Sequence, residues 1–117
     1  MQPDAEFNAF LAEGRFMIQR SRSSGKYVFY PRVAEPGTGA RDLEWTEASG
    51  LGTVYAVTVI YPRPPASPYN VVLVDLDEGP RMMSRVEADA ESVKIGQRVK
   101  ARVAPIDNAL AIVFDPA

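Results

Sequence analysis

The 117-residue chain contains no cysteine and no histidine. Without thiols there are no disulfides and no thiolate nucleophiles. Without imidazole there is no Ser-His-Asp or Cys-His arrangement, and the usual Cys/His zinc site is excluded on both counts. Lysine is scarce, present only as Lys26, Lys94 and Lys100. The 13 bases and 15 acids leave a formal charge of −2, so bulk electrostatics favour neither nucleic acid nor an anionic membrane as a partner. Long hydrophobic runs are missing too. The longest, residues 54–60, is interrupted by Thr58 and is far shorter than the roughly 20 residues that span a bilayer. The opening Met1-Gln2-Pro3-Asp4 is acidic where a secretory leader is basic, and the cytoplasm is the expected location.

What is present reads as one small, mainly β protein. Hydrophobic residues at 46% and charged residues at 24% are ordinary for a folded globular chain. Residues 1–14 predict a short helix: Pro3-Asp4 starts it, Phe7, Phe10 and Leu11 recur at i, i+3, i+4, and Gly14 ends it. So short a helix is marginal alone, so its Phe7/Phe10/Leu11 face must dock on the body of the chain or on a partner protein. Residues 15–48 carry strand fragments at 16–19, 27–30 and 41–47, separated by a tight polar turn at 21–26 and a loop at 31–40. This region has few aliphatic residues, and small regions of that kind need a staple. Residues 49–117 change to dense β structure, with strands expected at 53–61, 70–76, 81–86, 98–103 and 110–114. One polar connector at 89–93, expected to hold a single helical turn, precedes the fourth. Five strands in that arrangement match a five-stranded Greek-key barrel of the OB type.

Several short motifs yield to structural explanations. Ser23-x-x-Lys26 has the spacing of a Ser-Lys hydrolase, but that chemistry needs a helix, whereas these residues share a Gly-containing turn. Gly37-Thr38-Gly39 and Gly50-Leu51-Gly52 are turn or bulge glycines, because a phosphate cradle must open a helix. Asp75 and Asp77 place two carboxylates on one side of a strand end, a possible magnesium ligand pair or a solvated edge. Arg98, Lys100 and Arg102 line one face of the fourth barrel strand, suited to a polyanion or to solvent.

The stretches 19–27 (QRSRSSGKY), 30–32 (YPR), 42–45 (DLEW), 52–55 (GTVY) and 76–81 (LDEGPR), taken in order, resemble one family. It is the family of small acyl-CoA-associated OB-fold proteins with an N-terminal helix and a rubredoxin-like zinc ribbon. The resemblance implies that two Cys-x-x-Cys knuckles of the ribbon align onto Ser21/Ser24 and Glu35/Thr38, so that all four thiolate positions are replaced. The ribbon is then expected to bind no zinc and to be held by packing of Tyr27, Phe29 and Trp45 and by turn hydrogen bonds from Ser21 and Thr38. The resemblance further implies a non-catalytic accessory subunit, with a thiolase-fold enzyme or MaoC-like hydratase as partner and an acyl-CoA thioester as ligand. On that reading Arg32 and Arg63 contact CoA phosphates. Trp45, Tyr55 or Tyr69 flank the pantetheine or adenine, and Phe7, Phe10 and Leu11 face the partner. The alternative is a single-stranded nucleic-acid binder, a common role of OB folds that the acidic balance argues against. A stand-alone enzyme using Asp75 and Asp77 is the third possibility.

Overall fold

The computed structural model describes residues 3–35, 37–106 and 108–117. Its elements are α1 (Pro3–Ala12), β1 (Met17–Ser21), β2 (Tyr27–Val28), β3 (Leu43–Glu47), β4 (Leu51–Ile60), β5 (Tyr69–Leu76), β6 (Arg81–Ser84), β7 (Arg98–Ile106) and β8 (Ala109–Pro116). The first three strands form one small antiparallel sheet in the order β2-β1-β3, and the last five form a second in the order β6-β5-β4-β7-β8. That second sheet curls so that its two edges meet through a parallel bridge between Val86 and Phe114, giving the OB topology. The residues expected to hold one helical turn, 89–93, contain turns and no helix.

Alternation in the sequence sets the faces of the strands. In β5, Asn70, Val72, Val74 and Leu76 point inward, and in β7 Val99 is buried while Arg98, Lys100 and Arg102 are exposed. The register of β4 against β5 shifts between Val54 and Ala56, a bulge that turns the Tyr55 ring out to solvent. Just before it, Gly52 lies so close to β5 that a Cβ would stand 2.6 Å from Val74 Cγ1 and 2.9 Å from the Asp75 carbonyl oxygen.

The staple that the 15–48 region needs is supplied in part by a shared core. Leu11 of α1 and Phe16 and Ile18 at β1 belong to the same buried cluster as Val54, Val74, Met82, Val99 and Phe114 of the barrel. The helix face therefore docks on the body of the chain. Leu11 is buried, Phe7 meets Phe29 edge-on at 5.6 Å, and Phe10 meets Trp45 edge-on at 5.2 Å. Trp45 Nε1 donates to Glu6 Oε2 at 2.6 Å, which fixes helix to strand at the polar end of the indole.

Candidate functional site

The barrel closes along a short seam between β6 and β8. Phe114 N donates to the Arg85 carbonyl (3.0 Å), Glu87 N donates to the Phe114 carbonyl (2.7 Å), and Ser84 Oγ donates to the Ile112 carbonyl (2.7 Å). The buried Asn70 side chain reinforces it, donating from Nδ2 to the Val86 carbonyl (3.0 Å) and accepting from Val86 N (2.8 Å). Two adjoining clefts open beside this seam, sharing Met83, Ala111 and Ile112. The first, about 570 Å³, lies between Tyr69 and Val71 on one side and Ile106 and Val113 on the other. The second, about 470 Å³, is walled by Phe7 and Leu11 of α1, by Tyr30 and by Leu110. Along them Tyr30 (51%), Met83 (59%), Leu110 (44%) and Tyr69 (44%) stand exposed. Large apolar groups gathered along adjoining clefts form a surface able to take a partner or ligand. Sequence reading passes over Tyr30, Met83 and Leu110. The one available signal is the Met82-Met83 pair on a strand, of which period-two alternation must turn one outward.

The opposite character holds at the charged face. Asp75 accepts from Arg81 Nε at 2.6 Å, and Asp77 takes a two-pronged grip from Arg98 at 2.8 and 2.8 Å. The paired hydrogen bonds from Arg98, with its positive charge, hold the Asp77 carboxyl below the usual carboxylate range. Asp115 accepts from Arg102 Nε at 2.7 Å. The two carboxylates considered as magnesium ligands are thus engaged by guanidinium groups, and two of the three bases of the fourth barrel strand are neutralised. No cluster of three or more Asp or Glu side chains suited to a metal ion occurs among the described residues.

The turn residues 21–26 and 35–40 come together as one polar knot. Glu35, 4% exposed, accepts from Ser24 Oγ on one carboxylate oxygen (2.5 Å) and from Thr38 Oγ1 on the other (2.6 Å). Ser21 Oγ donates to Asp42 Oδ1 at 3.2 Å, and Ser23 Oγ donates to Asp42 Oδ2. Hydroxyl donors hold both carboxyls below their ordinary range: chiefly Ser24 and then Thr38 for Glu35, and chiefly Ser23 for Asp42. Ser23, the candidate hydrolase serine, is therefore bonded to an acid, in a turn and not on a helix.

The five residues assigned to CoA do not gather in one place. Tyr69 alone among them lines the larger cleft. Arg63 is exposed in the proline-rich loop at the end of the same hairpin. Arg32 is exposed, with its backbone pinned at N and O by the buried Gln19 amide (2.6 and 2.7 Å). Trp45 is half-buried between Phe7 and Phe10, and the Arg81 guanidinium covers the Tyr55 ring at 3.4 Å from its centroid. Of the partner-facing trio, Leu11 is buried in the core, and Phe7 and Phe10 pack on Trp45, although Phe7 and Leu11 also reach the wall of the second cleft. Among the described residues no helix is long and apolar enough to cross a membrane.

Known proteins are similar to this chain in sequence and in fold. The chain is 34% identical over 119 residues to a probable enoyl-CoA hydratase alpha subunit of Thermomonospora curvata, a match covering 94% of the chain and 37% of that protein. It is 31% identical over 83 residues to a DUF35 domain-containing scaffold protein of Pyrococcus furiosus, covering 66% of the chain and 60% of that protein. The chain thus spans a little over a third of the first of these curated relatives and 60% of the second. Among solved structures, a chain of an Ltp2-ChsH2(DUF35) aldolase superposes with a TM-score of 0.82 at 28% identity, over 99% of this chain and 95% of that one. A DUF35 protein of unknown function from Sulfolobus solfataricus superposes with a TM-score of 0.72 at 16% identity, covering 97% and 84%, a likeness of fold. Residues 45–104, from Trp45 in β3 through most of β7, match the ChsH2 C-terminal OB-fold domain, and the chain belongs to that OB-fold family.

Proposed function

We propose that this chain is a non-catalytic accessory subunit that seats on an acyl-CoA-processing enzyme, a thiolase-fold enzyme or MaoC-like hydratase, and helps hold its acyl-CoA thioester. The observation that carries the reading is the exposed apolar row of Tyr30, Tyr69, Met83 and Leu110 along two adjoining clefts. A partner covering that row removes apolar surface from water at the centre of an interface, the pattern of protein–protein contacts. The names of the similar proteins, a hydratase subunit, a scaffold protein and an aldolase assembly, support an enzyme as that partner. For the CoA moiety, Arg32 and Arg63 remain exposed guanidinium groups with no ion pair among the described residues, and Tyr69 offers an open ring beside the cleft. Trp45 and Tyr55 are weaker candidates, because their faces already meet Phe7, Phe10 and Arg81.

Affinity capture with the tagged chain from its native organism, followed by reconstitution with the recovered enzyme, tests this. The expected result is a stoichiometric complex with an acyl-CoA enzyme, weakened at least tenfold, or about 1.4 kcal/mol, by Met83→Asp with Leu110→Asp at unchanged Tm. Calorimetric titration with CoA and acyl-CoA supplies the ligand arm, where Arg63→Ala is expected to weaken binding. The proposal fails when the pure chain and its complexes bind neither CoA nor any acyl-CoA enzyme. A salt-dependent shift with short oligonucleotides in their place would move the reading to a nucleic-acid binder.

A further inference from the structure

The two turns that meet at Glu35 repeat the same backbone hydrogen bonds. In the first, Gly25 N donates to the Ser21 carbonyl (2.8 Å), and Ser21 N donates to the Lys26 carbonyl (2.9 Å). In the second, Gly39 N donates to the Glu35 carbonyl (2.9 Å), and Glu35 N donates to the Ala40 carbonyl (2.7 Å). Gly25 and Gly39 hold the same left-handed backbone, at φ +73° and +72°, which is why glycine follows the fourth residue of each turn. The fourth residue itself carries a hydroxyl in both: Ser24 Oγ accepts from Lys26 N (3.2 Å), and Thr38 Oγ1 accepts from Ala40 N (3.3 Å). Each of these hydroxyls then donates to Glu35, the first residue of the second turn. Ser21, the first residue of the first turn, accepts from Ser24 N (3.3 Å).

Two such turns facing each other, with side chains from their first and fourth positions converging, form the frame of a four-ligand metal site. The side chains present do not fit zinc. Three of the four are neutral hydroxyls, whose protons are already given to Glu35 and Asp42, and zinc takes thiolate or imidazole in structural sites. We infer that this is a metal-site frame in which the Glu35 carboxylate does the tying, one oxygen to each turn, in place of a metal ion. The inference rests on turn geometry and stands independently of the proposed enzyme partner.

Two measurements decide it. Metal analysis of the native chain, isolated without chelator, is expected to find no stoichiometric zinc, with the same Tm before and after EDTA. One zinc per chain would overturn the inference. The four-cysteine variant S21C/S24C/E35C/T38C is expected to bind one Co(II) with the visible absorption of tetrahedral thiolate coordination, displaced by Zn(II). A natively folded variant that binds neither metal would also overturn it. If that variant does not fold, thermal melts of Ser24→Ala, Glu35→Ala and the double variant decide the matter. Each single change is expected to lower Tm by several degrees, and Ser24→Ala is expected to cost little further once Glu35 is gone. Additive losses would mean that Glu35 does not tie the first turn.

Discussion

Gly52 and Glu35 mark two ways in which one residue governs this structure. Gly52 is required by space: its backbone φ is not left-handed, but the approach of Val74 and Asp75 leaves no room for a methyl group. Gly52→Ala is therefore expected to push β4 from β5 and to destabilise by about 1–3 kcal/mol, read from urea denaturation with an unchanged m-value. Glu35 is required by its charge. Hydrogen bonds from Ser24 and Thr38 hold its folded carboxyl below the pKa it has in the unfolded chain. The unfolded state then binds the proton more readily, so the contribution of Glu35 to stability is whole above the unfolded carboxyl pKa. It is lost as pH falls through the depressed folded value. The Tm difference between native protein and Glu35→Gln is thus expected to be constant near neutrality and to shrink in acid. A difference that grew in acid would refute this account. Glu35 was legible in the sequence only through the family resemblance, which aligns a knuckle onto Glu35 and Thr38 just before Gly39. That both its oxygens are satisfied was not, since those contacts join residues 3 and 11 positions away.

At the scale of elements, the two sheets differ in how far pattern alone defines them. Barrel strands β4, β5 and β7 are long and rich in β-branched residues, and they lie where the sequence places them: β4 begins two residues earlier and ends one earlier, β5 begins one earlier, and β7 ends three later. The third expected strand of the barrel instead divides into β6 and the isolated bridge at Val86, where the chain leaves β5 to meet β8. In the small sheet, the strand expected at 27–30 shortens to Tyr27–Val28, because only Gln19 and Arg20 of β1 pair with it. The helix carries its own prediction. α1 covers Trp45 and Phe29 through Phe7 and Phe10, and Arg15 caps Phe10 at 5.4 Å from its ring centroid. Trp45→Ala removes a half-buried indole and the Glu6 hydrogen bond together. The change is expected to cost roughly 2 kcal/mol, somewhat less than a fully buried aromatic, with loss of helical signal in far-ultraviolet circular dichroism.

Across the whole molecule, about 47 × 30 × 22 Å, one apolar cluster runs from α1 through β1 into the barrel. The helix and small sheet have too few aliphatic residues for a core of their own, and they borrow that of the barrel. Thermal and urea unfolding are therefore expected to proceed in a single transition, with Trp45 fluorescence and far-ultraviolet circular dichroism changing together. An early, separate melting of residues 15–48 would disprove the shared core. The surface divides at the same scale. Ion pairs such as Arg98–Asp77 and Arg102–Asp115 lie on the strand faces that alternate charged and apolar residues. The apolar row of Tyr30, Met83, Leu110 and Tyr69 gathers where helix, small sheet and barrel edges adjoin.

The sequence by itself determined the mainly β class, the five-strand barrel pattern and the positions of both glycine-marked turns, because period-two alternation and left-handed glycines are local constraints. It also determined that no thiol or imidazole chemistry is open to this chain. Only the tertiary structure decided that Leu11 is buried while Phe7 and Phe10 pack on Trp45, that Asp75 and Asp77 are held by Arg81 and Arg98, and that Tyr30, Met83 and Leu110 line one cleft. Asp75 and Arg81 face each other across the β5–β6 hairpin, but the other outcomes depend on partners far apart in sequence, and residues 30, 83 and 110 carry no local signal of their meeting.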